Sequence, residues 1–511
     1  MKTTAATRFG LSTIVLAIIL TGAASDVLAE VQVNRMFGDQ MVLQQAIPVP
    51  IWGTAAAAEK VTVTFRDQKQ ETTADKDGKW MVKLKPLAVG DPGTLTVSGT
   101  NSVTFQDVLV GEVWVGSGQS NMAGGTGGYA RRDETLAAMV DAAPYPKLRL
   151  YRGGWKEADA DAVNGFSALL FSFGQPLQEK LDVPVGLIVG AVGGTPSGRW
   201  LSPGMFEADP GVQALLKEKG MRVSHEERVK QYEETLAAWQ SAVKAAEEAG
   251  KQPPRKPRGP VKVGDLYAAH IEPVVPYAIR GVLWDQGESG TAVAEVDQFT
   301  MMGALIRGWR NVWGQGEFPF LYVQKPSGGG CAWDKENPVT RMADAFSEQP
   351  AATNKDADGQ YRALHIRIMQ HPNTAMVTAN DLGSGVHPVN KSGYGRRACR
   401  VALGLVYDRN VAIYGPLYES HTVEGSKVRI RFGHAGQGLA IKHADKLQGF
   451  EIAGEDGVFH WAEAEIDGAT VVASSAEVSK PVHVRYAWSR NHTWANLFNQ
   501  AGLPALTFST R

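Results

Sequence analysis

The sequence has 511 residues, 43% of them hydrophobic and 21% charged, with a formal net charge of -1. That balance excludes a disordered or fibrous chain and fits a globular protein of about two to four domains. No stripe of lysine and arginine is interleaved with aromatic residues, so nucleic acid and anionic membrane surfaces are not expected partners.

At the amino terminus Lys2 and Arg8 bracket the start of an apolar segment that runs from Leu11 to Leu20, and Val27-Leu28-Ala29 places small side chains where a signal peptidase reads. The pattern predicts a signal peptide over residues 1–29 and an exported protein, periplasmic or extracellular. The apolar run is too short to span a bilayer and no second one follows, so no membrane span is expected. Residues 30–105 read as short alternating strands, such as Val61 to Phe65 and Trp80 to Leu84, with a turn at Asp77-Gly78. They predict an N-terminal β-sandwich. Over residues 106–408 apolar strands alternate with helical and glycine-rich stretches, which predicts an α/β catalytic domain with a parallel sheet flanked by helices. Within it a helical insertion spans about residues 204–262. There Ser224 and Glu227 read as a capping-box pair, and Val229, Tyr232, Leu236, Trp239, Val243 and Ala246 mark one face of a long helix ending near Gly250. It is expected either to pack on the domain or to serve as a lid or protein contact. Residues 409–511 return to strand alternation and predict a C-terminal β-sandwich.

Four apolar runs end in loops that carry chemistry. The first, Val108 to Val115, leads through Gly116-Ser117-Gly118-Gln119 to Ser120-Asn121-Met122. A serine there emerges at the carboxyl edge of a central strand, where active sites of open α/β sheets lie, and the small residues let a substrate approach the backbone. Ser120 is the candidate nucleophile. The second run, Val183 to Val189, opens into Gly193-Gly194-Thr195-Pro196, whose glycine amides can face the same point. Its spacing matches neither the dinucleotide fingerprint nor a P-loop. The third, Ile279 to Trp284, reaches Gln286-Gly287-Glu288; Gln286 offers an oxyanion donor, and Glu288 either orders the site or is a solvated carboxylate. The fourth, Thr374 to Ala379, leads to Asp381 and His387, just before a helical segment from Gly393 to Val406. Of eleven histidines only His387 has this setting, so it is the candidate base. The only cysteines, Cys331 and Cys399, suit neither a disulfide scaffold nor a zinc site, and a single bridge is left open.

These blocks, together with Met41 to Gln45, Pro48 to Gly53, Pro276 to Trp284, His387-Pro388-Val389-Asn390-Lys391, Val484 to Trp488 and Ala501 to Ala505, resemble the sialate O-acetylesterase family, a branch of the SGNH hydrolases. The resemblance covers nearly the whole mature chain. It implies a flavodoxin-like SGNH sheet and a serine esterase acting on acetylated sugars without cofactor or metal. Ser120 would be nucleophile and His387 general base, with the amides of Ser120 and of Gly193 or Gly194, and Gln286, as oxyanion hole. Glu288 and Asn121 would support the site. The chain departs from the family at Ser384 and Gly385, where an aspartate often precedes the histidine; Asp381 would replace it only if the loop folds back, and a Ser-His dyad is the alternative. Arg199 is expected either to pair with a sialic acid carboxylate or to sit in a structural ion pair. Alternatives to a sialate O-acetylesterase are an acetyl xylan or other polysaccharide acetylesterase and a non-catalytic carbohydrate-binding protein.

Overall fold

The computed structural model describes residues 30–221, 224–257, 259–260, 263–353 and 358–511, so the expected signal peptide lies outside the described residues. The expected α/β architecture is present, with a mixed sheet at its centre and further β-sheets at both ends. At the amino end, Val49–Thr54 and Lys79–Leu84 pair antiparallel, and Lys60–Phe65 pairs with Gln68–Thr73 and Gly93–Ser98.

Strand β1 (Ser102–Gly118) joins this region to the central sheet. Its first half pairs antiparallel with Gly93–Ser98, and Leu109 to Gly111 pair in parallel with Val42–Gln44. Its second half lies between parallel neighbours in the central sheet. The expected limit at 105/106 therefore falls inside one continuous strand. The other central strands are β2 (Tyr145–Tyr151), β3 (Trp155–Ala158), β4 (Val185–Ala191), β5 (Gly281–Asp285), β6 (Phe320–Val323) and β7 (Thr374–Val377). Their order is β3-β2-β4-β1-β5-β6-β7, parallel throughout except for the β2–β3 edge hairpin. The chain places β2, β3 and then β4 on one side of β1, with β4 inserted next to it, and β5 to β7 on the other, so the carboxyl end of β1 is the topological switch point.

Short α1 (Ser120–Ala123) follows β1 directly. Helix α2 (Ala168–Leu181) covers the sheet face to which Trp114 points, its Phe173 ring 5.0 Å from that indole. The long helix α3 (His225–Glu248) is capped by Ser224, whose Oγ accepts from Glu227 N at 3.2 Å. Its apolar stripe is only half-buried, and it meets the chain's own proline-rich connector: Trp239 Nε1 donates to Pro254 O at 2.8 Å. Helix α4 (Gln298–Trp313) covers the other sheet face, where Trp284 and Trp309 meet edge to face at 5.9 Å. Helix α5 (Lys391–Leu405) begins two residues before the expected start and packs on α2. The carboxyl-terminal sheets enclose a separate core that includes Val428, Ile430, Phe450, Ile452 and Val484. Cys331 and Cys399 are both free and buried.

The α2–α5 crossing depends on Gly395. A Cβ there would lie 2.3 Å from the backbone carbon of Ser172, closer than any real contact. Gly395→Ala is expected to force the helices apart and cost about 1–3 kcal/mol, read as a lower denaturant midpoint.

Candidate active site

Ser120 stands at the carboxyl end of β1 because β5 dictates the turn before it. Gly118 has φ +129°, and a Cβ there would fall 2.1 Å from the Asp285 carbonyl oxygen. Gln119 N donates to the same oxygen at 2.9 Å. Gly116 faces α2, with Leu170 Cδ2 2.6 Å from where a Cβ would be. The small residues that the sequence suggested for substrate approach are therefore needed for strand and helix packing.

His387 lies in the loop between β7 and α5, exposed, with Nε2 2.8 Å from Ser120 Oγ. Asn390 anchors this loop: it caps α5 by accepting from Gly393 N at 2.9 Å, and its amide donates to Leu382 O at 3.2 Å and to Val339 O at 2.9 Å. Asp381 does not reach the imidazole. It is buried in a two-pronged ion pair with Arg397 of α5, at 3.1 and 2.9 Å, and that guanidinium occupies both carboxylate oxygens. Ser384, at the position three residues before His387, donates to Asp344 Oδ1 at 3.2 Å. Among the described residues, the contact with Ser120 is the only hydrogen bond of the His387 ring.

The glycine turn after β4 abuts the serine: a Cβ on Gly193 would sit 3.5 Å from Ser120 Cβ, and Gly194 has φ +70°. Neither the Ser120 nor the Gly193 amide donates to another described group. Gln286 follows the last residue of β5, and its amide nitrogen donates to Thr195 O at 3.2 Å and Gly290 O at 2.9 Å. It locks two loops together and is not an available oxyanion donor. Arg199 is likewise committed, in a two-pronged pair with Asp265, which is the structural alternative considered for it.

Glu288 and Asn121 belong to a network that braces Ser120 from both sides. Glu288 Oε2 accepts from Gln119 Nε2 at 2.5 Å, and Oε1 accepts from Asn121 Nδ2 at 3.3 Å. Asn121 Nδ2 also donates to Val386 O at 3.1 Å, which ties the serine turn to the residue before His387. Two lysines complete the network, and no local pattern singled out either. Lys325, just past β6, is fully buried and pairs with Asp285 at 2.9 Å and Glu288 at 2.8 Å. Gly287 leaves room for it, since a Cβ there would lie 2.6 Å from Lys325 Cγ. Lys391, also buried, donates to Asn121 Oδ1 at 2.9 Å and Pro388 O at 2.5 Å.

Burial opposes charge on Lys325, yet Asp285 and Glu288 hold it well above the ordinary lysine value. Burial raises the Asp285 carboxyl against the pull of Lys325. At Lys391 burial wins and pushes the amine down to about 7, against Asp285 and Glu288. Among the described residues no group of three or more His, Cys, Asp or Glu side chains is placed to hold a metal ion.

Lys325→Met leaves the buried Asp285 carboxylate without its cation and facing the half-buried Glu288, and is expected to destabilise the fold by about 3–5 kcal/mol in denaturant titrations. Lys391 has its folded value near 7 and an unfolded value of 10.5, so between these limits unfolding takes up a proton. Its contribution makes the fold more stable as pH rises from 7 towards 10, by at most about 1.4 kcal/mol per pH unit. Subtracting the stability–pH curve of Lys391→Met from that of the wild type isolates this slope.

Residues 110–250 match the family model described as carbohydrate esterase, sialic acid-specific acetylesterase. The sialate O-acetylesterase of Rattus norvegicus is 27% identical over 92% of this chain and 92% of its own length. That of Homo sapiens is 26% identical over 91% of this chain and 88% of its own. A carbohydrate acetylesterase from Xanthomonas citri superposes with a TM-score of 0.72 at 26% identity, covering 94% of this chain and 99% of that one. The resemblance to the sialate O-acetylesterases read from the motifs is therefore borne out over nine tenths of the chain, and the protein is a carboxylic ester hydrolase.

Proposed function

We propose that the protein is an exported carbohydrate O-acetylesterase that removes O-acetyl groups from sialic acids through an acetyl-serine intermediate. The observation that carries this reading is the 2.8 Å contact between Ser120 Oγ and His387 Nε2 at the topological switch point of the sheet. The relatives' names supply the substrate class.

His387 takes the Ser120 proton as Oγ attacks the acetyl carbonyl carbon. The negative charge on the carbonyl oxygen is met by the amides of Ser120 and Gly193. The tetrahedral intermediate collapses, His387 returns the proton to the departing sugar oxygen, and acetyl-serine remains. Water then enters, loses a proton to His387, and attacks the same carbonyl; acetate leaves as the proton returns to Ser120. With Asp381 bound to Arg397, the catalytic unit is a Ser-His dyad whose imidazole is oriented by its loop. Asn121, Glu288 and Lys391 act as positioning residues that hold the serine turn against that loop.

Acetate release from O-acetylated sialic acid, compared with acetylated xylan, tests the reading. Wild type is expected to prefer the sialic acid, and Ser120→Ala and His387→Ala to lose at least about 1000-fold in kcat/KM. An organophosphonate is expected to label Ser120 in the wild type. Activity that survives in Ser120→Ala would refute the acetyl-serine route, a preference for xylan would move the protein to polysaccharide deacetylation, and a wild type inactive on every ester would leave a sugar-binding role.

A further inference from the structure

A cavity of about 280 Å³ lies beside the short helix α1 that begins at Ser120, lined by Ala123 of that helix, by Val189, Gly190 and Ala191 at the end of β4, and by Arg152 and His270. Arg152 is its one permanently charged lining residue. It follows the last residue of β2, and β2, β4 and β1 are parallel neighbours, so Arg152 emerges at the same sheet edge as Ser120. Two inter-strand spacings of roughly 4.8 Å set it about 10 Å to the side, and the register, with Tyr151 and Val115 both opposite Ile188, sets it level with Gly116, four residues before Ser120.

Arg152 contrasts with other arginines of the central region. Arg149, Arg199, Arg280 and Arg397 each pair with a carboxylate, whereas among the described residues Arg152 has none within ion-pair distance and donates only to the Gly165 carbonyl. The residue is exposed and lines the cavity, and its Nη1 makes the one hydrogen bond found for its side chain among the described residues. Beside it the His270 ring lies against Trp200 at a centroid distance of 5.8 Å, and burial lowers its pKa, so it presents a neutral imidazole.

We infer that Arg152 is the specificity residue of a substrate pocket beside Ser120, pairing with the carboxylate of an acetylated sugar acid while the acetyl ester lies at the serine. This deepens the esterase reading and rests on it. The role proposed from sequence for Arg199 thus passes to Arg152, since Asp265 already neutralises Arg199.

The test compares kcat/KM for O-acetylated N-acetylneuraminic acid with that for its methyl ester, in which the carboxylate is masked. Wild type is expected to favour the free acid, and Arg152→Gln to cut that ratio about 10- to 100-fold, with partial recovery in Arg152→Lys. A folding defect would slow both substrates alike and leave the ratio intact, so an equal ratio in wild type and Arg152→Gln overturns the assignment. Acetylated glucuronoxylan oligosaccharides run alongside distinguish a uronic acid from a sialic acid as the source of the carboxylate. Titration of N-acetylneuraminate into Ser120→Ala protein, with and without Arg152→Gln, separates this pocket from the esterase reading. Binding that requires Arg152 upholds the pocket even if acetate release fails, and binding indifferent to Arg152 overturns it.

Discussion

The position of the nucleophile depends on a lysine buried with two carboxylates. Removing an ammonium from water costs several kcal/mol, and Lys325 offsets that cost only because Asp285 and Glu288 stand within 2.9 Å of it. The cluster has one low-energy arrangement, and the serine turn is hung from it. The backbone of Asp285 holds Gln119, and the carboxylate of Glu288 holds Gln119 and Asn121, the residues on either side of Ser120. Lys391 extends the same bracing to the opposite loop by joining Asn121 to the carbonyl of Pro388, next to His387. The contact between Ser120 and His387 is thus fixed by groups that do not themselves react.

The other constraint is mechanical. Strand β1 runs unbroken from the amino-terminal sheet to the serine, so the smaller sheet is part of the same structural beam. Its buried residues share one continuous apolar core with those of β4, β5 and β6. Where the beam ends, Gly118 lets β5 approach closely enough for the turn to form. The position of Ser120 is thus set on a strand that the front sheet and the central sheet hold in common.

The strands and the two side chains that meet at 2.8 Å, Ser120 and His387, were legible because each has a local signature. Apolar runs such as Thr374 to Val377 bury every residue, and Ser120 and His387 follow such runs in glycine-rich turns. Availability was not legible, because whether a polar group is free depends on partners far away in sequence. Asp381 is taken by Arg397 on the next helix, Arg199 by Asp265, and Gln286 by the carbonyls of Thr195 and Gly290. Lys325 and Lys391 were missed for the same reason, since a lysine in a loop looks solvated until the fold closes over it. The α3 stripe shows the limit of periodicity: it correctly marks a helix face, but that face is only half-buried and meets its own connector.

Set beside these closed pairings, four groups at the carboxyl edge of the sheet form a coherent set. Buried ions of the central region are matched within the chain, whereas the free Nδ1 of His387, the amides of Ser120 and Gly193 and the guanidinium of Arg152 are left without acid or carbonyl partners enough to fill them. All lie at the carboxyl edge of strands β1, β4 and β2 or on the loop that leans over it. An ester carbonyl and a carboxylate supply the complementary acceptors, two strands apart across the sheet. In this reading the sheet order itself measures the substrate: β1 presents the reacting atom, β4 the amide that meets its developing charge, and β2 the cation that decides which sugar is held there.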